Sequence, residues 1–121
     1  MAVSKTSKTQ IGSFSSLADG TSYLSNSFDV SDGVALGLEI SLSFGGTPSG
    51  SVKIQVLGSL DNTTWSDKPL WETAETPSGD TTLVYNIESI TGVPYVMIKV
   101  ENNSGVSIDG TINVSKAYVI L

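Results

Sequence analysis

Strict two-residue alternation is the dominant signal in this chain. Val34, Leu36, Leu38, Ile40, Leu42 and Phe44 alternate with Ala35, Gly37, Glu39, Ser41 and Ser43, which sets apolar side chains on one face and small or polar ones on the other. A half-buried antiparallel strand reads this way; a helix or an enclosed parallel strand does not. After the break at Gly45–Gly50, Val52, Ile54 and Val56 point inward and Lys53, Gln55 and Leu57 outward. Two later segments repeat the pattern: Thr81 to Ile87, with Leu83, Tyr85 and Ile87 inward, and Tyr95 to Asn102, with Val96, Ile98 and Val100 inward. From Ser22 to Val30, Leu24, Phe28 and Val30 share one parity.

A last strand runs from about Gly110 to Leu121. Ile112 and Val114 have one parity there and Ala117, Val119 and Leu121 the other, which predicts a bulge near Ser115-Lys116 unless both faces are covered. A short strand around Trp65 to Trp71 brings the count to seven or eight, separated by turns rich in Gly, Pro, Asn and Asp. The fold class is all-β: an antiparallel β-sandwich or jelly roll.

The first twenty residues read differently. They are rich in Ser, Thr and Lys, carry Ile11, Phe14 and Leu17 as their sizeable apolar groups, and end at the turn signal Asp19-Gly20. That spacing fits one helical face, but the Ser density lowers helix propensity. The reading is an extended N-terminal arm, residues 1–20, docking three apolar anchors beside a single sandwich domain at 21–121.

Composition narrows the chemistry. At 121 residues one domain is expected, burying roughly two-thirds of the extended chain's surface. Only 15% of residues are charged, while 20 Ser and 12 Thr stand beside 12 Gly. The absence of His and Cys removes Ser-His-Asp and Cys-His nucleophile systems, thiolate metal sites and disulfides. Six Lys, no Arg and a net charge of -6 argue against a nucleic-acid partner. No apolar run reaches signal-peptide length or the ~20 residues of a membrane span. No cofactor is expected, and the chain is not expected to be an enzyme.

Each remaining candidate has a plain structural reading beside it. Asp29, Asp32, Asp61, Asp67 and Asp80 sit in apparent turns, where a carboxylate satisfies local backbone N–H groups. Oxygens of Asp29, Asp32 and Asp109 are the alternative, as a calcium site, but without the ligand spacing of a dedicated loop. Trp65 and Trp71, with Tyr23, form a platform for a sugar ring if exposed, or pin a loop to the core if buried. The triplets at Asn62, Asn102 and Asn113 match a glycosylation pattern that arises by chance in so Ser- and Thr-rich a chain. Leu57, Tyr95 and Met97 lie on the outward parity of their strands, where a cluster would be an association surface.

The segment Val56-Leu57-Gly58-Ser59-Leu60-Asp61-Asn62-Thr63-Thr64-Trp65 leaves a strand through Gly-Ser-x-Asp and a polar turn before a Trp. It resembles the "strand, Gly-Ser-x-Asp-Gly-x-x-Trp" element of small β-sandwich structural proteins of tailed bacteriophages and of some discoidin-like carbohydrate-binding modules. Asn62 stands where Gly is usual. The segment Gly92-Val93-Pro94-Tyr95-Val96-Met97-Ile98-Lys99-Val100 is similar to another element of those proteins. The resemblance implies a virion protein of the capsid decoration or cement type, assembled in the host cytoplasm. Its implied partners are the major capsid protein or other virion subunits, and it implies a homo-oligomer, often a trimer in that family. Ile11, Phe14, Leu17, Leu57, Tyr95 and Met97 are the interface candidates. The alternative is a carbohydrate-binding or receptor-recognition module of a phage tail or fibre, using Trp65, Trp71 and Tyr23.

Overall fold

In a computed structural model describing residues 2–120, the alternating segments become ten antiparallel strands in two facing sheets. They are β1 (Ala2–Lys5), β2 (Thr9–Leu17), β3 (Ser22–Leu24), β4 (Phe28–Asp29), β5 (Gly33–Phe44), β6 (Ser51–Ser59), β7 (Trp71–Glu75), β8 (Thr81–Ile87), β9 (Tyr95–Asn103) and β10 (Ile108–Ile120). The first sheet runs β10-β5-β8, with β1 and β2 both along the free side of β10. The second runs β9-β6-β7, with β3 and β4 both along β9. This is the expected all-β sandwich.

Between the sheets lie the side chains that alternation assigned to the core. Leu36, Leu38, Ile40 and Leu42 of β5 face Val52, Ile54 and Val56 of β6, and Val96, Ile98 and Val100 of β9 face Ile108, Ile112 and Val114 of β10. Each is essentially without solvent contact, and burying a side chain of this size contributes roughly 1.5–3 kcal/mol. An aromatic pair closes each open flank. Phe14 of β2 meets Tyr23 of β3 with ring centroids 5.1 Å apart, and Trp71 of β7 meets Tyr85 of β8 at 4.9 Å.

The N-terminal segment is extended, as expected, and it docks by strand pairing, forming an edge of the first sheet along β10. Two bulges shape that edge. Gly12 pairs with Ile112 and Gln10 with Asn113, so Ile11 is the extra residue, and it turns into the core. The second bulge sets Ser15 and Ser16 against Asp109 alone. Ser16 adopts φ +53°, and its N–H donates to Asp109 Oδ1 at 2.6 Å. Asn102 then ties the segment down from beneath. Its side-chain amide donates to the carbonyls of Leu17 (2.9 Å) and Val106 (2.8 Å), while its Oδ1 accepts from the Ser104 N–H and hydroxyl.

Local breaks and insertions correct further expectations. The strand expected over Ser22 to Val30 is interrupted at Ser25, whose buried hydroxyl accepts from Ile98 N–H. The parity therefore switches: Tyr23 faces inward, Leu24 is 51% exposed, and Val30 is buried. The bulge expected near Ser115-Lys116 lies instead in β5, where Ala35 pairs with Ala117 and Gly33 with Tyr118, leaving Val34 as the extra residue, turned outward. The strand expected from Trp65 to Trp71 begins only at Trp71, because residues 60–70 form a loop held to β6 by a Ser59–Trp65 bridge and by the Ser66 and Leu70 N–H groups, which donate to the Gly58 and Val56 carbonyls.

Hydroxyl groups occupy the outer face of the first sheet. Ser13, Thr111, Ser41 and Thr82 are successive cross-strand partners on β2, β10, β5 and β8, with Ser41 and Thr82 hydroxyls 3.2 Å apart.

Candidate functional site

Two features at one end of the second sheet are available to a partner. The first is the outward parity of β6 and β9. Leu57 and Met97 are directly opposed across the two strands, and Tyr95 stands opposite Ser59, one step toward the strand end. All three side chains are half-buried by their neighbours and keep an outer surface. Further along the same face the character changes: Lys99 opposes Gln55, Lys53 opposes Glu101, and Gln55 Nε2 donates to Glu72 Oε2 at 2.7 Å. Apolar groups at one end and a polar, charged set at the other form a bounded patch.

The other interface candidates lie on β2, where Phe14 and Leu17 are half-buried and Ile11 is buried. Ile11 is 4% exposed and belongs to the core, so it has no surface to give a partner. Phe14 packs on Tyr23 and over Gly110, its cross-strand partner, where an added Cβ would collide with the ring. Leu17 is half-buried against the core. Their spacing gave no hint of this, because two bulges in nine residues decide which side chains turn inward.

The second feature is the loop that leaves β6. Ser59 Oγ accepts from the Asn62 N–H at 2.9 Å and donates to Asp61 Oδ1 at 3.1 Å. Asp61 Oδ1 also accepts from the N–H groups of Thr63 (2.9 Å) and Thr64 (2.8 Å). Asn62 takes the left-handed conformation, φ +62°, that Gly usually supplies in the Gly-Ser-x-Asp-Gly element. Each residue of the motif thus has a defined part in one tight turn. The Thr64 and Thr63 amides hold the Asp61 carboxyl below its ordinary range, with a smaller contribution from Ser59.

That turn carries Trp65 to the rim of a cavity of about 500 Å³, floored by Gly58, Leu70 and Val93. Gly58 leaves room for this approach, since a Cβ there would stand 2.9 Å from the Leu70 side chain and 3.1 Å from that of Val93. Leu60, Asp61 and Thr64 line the opening, and Leu60 is 76% exposed. A pocket of this size, mostly apolar with a few hydroxyl and carboxylate groups, is of ligand-binding dimensions.

Of the three aromatics expected to form one platform, only Trp65 is at this cavity. Trp71 points inward onto Tyr85, and Tyr23 closes the opposite flank against Phe14 with its hydroxyl accepting from Ser13 N–H at 3.2 Å. Their inward parity, paired with Val56 and Val100, is why.

Other candidates resolve as turn chemistry. Asp29 Oδ1 accepts from Ser31 N–H at 2.8 Å, and hydrogen bonds from the Ser31 hydroxyl and amide, aided by Lys116, keep this carboxyl below its usual range. Asp80 Oδ1 accepts from Phe44 N–H at 2.9 Å. Asp29 and Asp32 precede β5, whereas Asp109 opposes Ser43 at its far end, on the order of 30 Å of strand away. They cannot share one ion, and no group of three metal-ligating side chains occurs among the described residues. Nor does any helix long and apolar enough to cross a membrane. Asn102 is the residue whose importance the sequence concealed: it is fully buried and satisfied, and its triplet pattern is incidental.

No family model and no curated protein matches the chain. Solved structures do. The crystal structure of the SPBc2 prophage-derived protein YomS is similar with a TM-score of 0.59 and 17% identity, over 97% of this chain and 96% of that one. A CBM4 carbohydrate-binding module matches with a TM-score of 0.58 and 13% identity, over 82% of this chain and 66% of that one. A subunit of the disulfide-linked pili of Bacillus endospore appendages matches with a TM-score of 0.51 and 13% identity, over 98% and 89%. At these identities the likeness is one of fold: the chain shares its β-sandwich with a prophage-derived protein, a carbohydrate-binding module and a pilus subunit.

Proposed function

We propose that this chain is a structural protein of a bacteriophage virion, of the capsid decoration or cement type, with a mechanical rather than catalytic role. The observation that carries the reading is the bounded apolar patch of Leu57, Met97 and Tyr95 on the outer face of a fully packed sandwich. Such a patch suits burial against another subunit. The fold shared with the prophage-derived YomS and the bacteriophage-like Gly-Ser-x-Asp turn support it.

The partner is the major capsid protein or another virion subunit, and the chain acts as a homo-oligomer. Each copy buries modest surface across a capsomer junction. Many copies on one particle sum those contacts against the outward pressure of packaged DNA. The acidic exterior keeps the particle dispersed and discourages adhesion to DNA. Imaging purified particles with a label on this chain tests the assignment: regular density over capsomer junctions is expected, and a label confined to the tail or absent from the particle rejects it.

The Trp65 cavity favours a second reading, saccharide recognition. A pyranose ring stacked on Trp65, with hydroxyls toward Asp61 and Thr64, fits its size and chemistry. A glycan array with the wild type and Trp65→Ala decides it: binding lost in the variant supports recognition, and silence in both removes it. Trp71→Ala is unsuitable, since Trp71 holds the flank against Tyr85.

A further inference from the structure

A two-sheet sandwich has four outer strand edges, and each presents unpaired N–H and C=O groups that can template another strand. Three of these edges are blunted. The β1/β2 edge carries Lys5 and, just beyond it, Lys8, and is broken by the two bulges. The β3/β4 edge consists of pieces of three and two residues separated by Ser25–Ser27. β7 is five residues long with Glu72 outward and Glu75 inward. β8 has none of these devices. Its seven residues, Thr81 to Ile87, include no charge and no proline, and they pair with β5 in unbroken register.

We propose that β8 pairs antiparallel with β8 of a second copy of this chain, joining two first sheets about a twofold axis. β8 is self-complementary. Centred on Val84, the pairing sets Val84 against its own copy, Thr82 against Asn86 on the outer face, and Leu83 against Tyr85 on the inner face. Val84 is 71% exposed in the single chain. With Val3, Lys5 and Val34 it lines a groove of about 640 Å³ that crosses the outer face of the first sheet from β1 to β8 over Ala35 and Ala117, so exposed apolar surface reaches the edge that the pairing extends.

Charge limits the contact to β8 itself. The same register brings Asp80 toward Glu88 of the second copy at each end, and like charges there oppose association. Salt relieves this repulsion, because the screening length falls from about 10 Å at 0.1 M to about 3 Å at 1 M. Association therefore strengthens as salt is raised, which sets this dimer apart from one held by ion pairs.

Sedimentation of the full chain across protein and salt concentration is the test, with Val84→Lys as the variant. That site is exposed and faces Glu39, so Lys is accommodated in the folded monomer. The wild type is expected to dimerise reversibly and more tightly at high salt, and Val84→Lys to associate at least tenfold more weakly while melting at the same temperature as the wild type at dilutions where both are monomeric. Leu24→Lys, at an exposed apolar residue on the edge of the other sheet, should leave the dimer intact. Amide exchange of the wild type should slow in β8 as concentration rises, a readout that needs no variant. A monomer under all conditions, equal association of Val84→Lys, loss of the dimer in Leu24→Lys, or concentration-independent exchange in β8 overturns the inference.

Discussion

The Tyr85 hydroxyl donates to Glu75 Oε1 at 3.1 Å, linking edge strand β8 of the first sheet to edge strand β7 of the second. Burial of the phenol, then the hydrogen bond and charge of Glu75, raise its pKa far above the ordinary value near 10. The folded protein thus holds the proton more tightly than the unfolded chain. The stabilisation is fully present below the ordinary phenol value and is lost as pH rises from there through the folded value. Tyrosinate absorbance against pH should show the Tyr85 phenolate appearing together with unfolding. In Tyr85→Phe that increment should vanish and the alkaline limb of the stability profile should flatten; an increment that appears before any loss of structure would contradict this.

Gly110→Ala tests the flank at Phe14. The new methyl group meets the Phe14 ring, and overpacking of this kind costs about 1–3 kcal/mol. In a Phe14→Ala background the penalty should shrink to a few tenths of a kcal/mol. Denaturant midpoints of the four proteins measure the coupling, and equal penalties in both backgrounds would show that the ring is not the obstacle.

Asn102→Ala removes the side-chain donor to the Leu17 carbonyl and the acceptor of the buried Ser104 N–H, leaving the Val106 carbonyl only the Ser104 hydroxyl, and each buried group left unpaired costs about 1–3 kcal/mol. A marked fall in melting temperature is expected. Removal of residues 2–18 should be worse still, because it takes Ile11 from the core and strips the β10 edge. A truncated chain that melts like the full one would contradict this placement of the N-terminal segment.

The Asp61 turn predicts an acid response at the cavity. Because its folded pKa is depressed, the stabilisation of the turn is present above the ordinary carboxylate value near 3.9 and fades as pH falls from there through the folded value. Trp65 fluorescence should shift over that acid window in the wild type, and in Asp61→Asn the shift should be lost. Asn62→Gly, which removes the left-handed strain, should hold or slightly raise stability. An acid shift that persists unchanged in Asp61→Asn would place its cause elsewhere.

Regular alternation was legible wherever a strand pairs without interruption. The inward residues of β6, β9 and the middle of β5 follow directly from period two, since one buried face leaves no other arrangement. The misread residues sit at single-residue insertions. Ile11, Leu24 and Val34 each lie at or beside a bulge or break, and one extra residue moves a side chain to the opposite face. The Gly-Ser-x-Asp turn was readable because its chemistry is local. Asn102 was not, because its partners Leu17 and Val106 come together only after two sheets are assembled. The Leu57, Met97 and Tyr95 patch needed only parity and register; the separation of Trp65 from Trp71 needed to know where β7 begins.

The central claim is that the β6 and β9 outer face seats the chain on a virus particle. Particles lacking this chain, incubated with purified wild type, Leu57→Glu or Met97→Glu, test it through bound copy number and particle heat stability. Both substitutions lie on a solvent-facing surface, so melting of the free chains should change little. Wild type should bind to saturation and raise the temperature of DNA release, and each variant should lose at least tenfold in affinity along with that protection. Full occupancy and full protection by both variants would contradict the account.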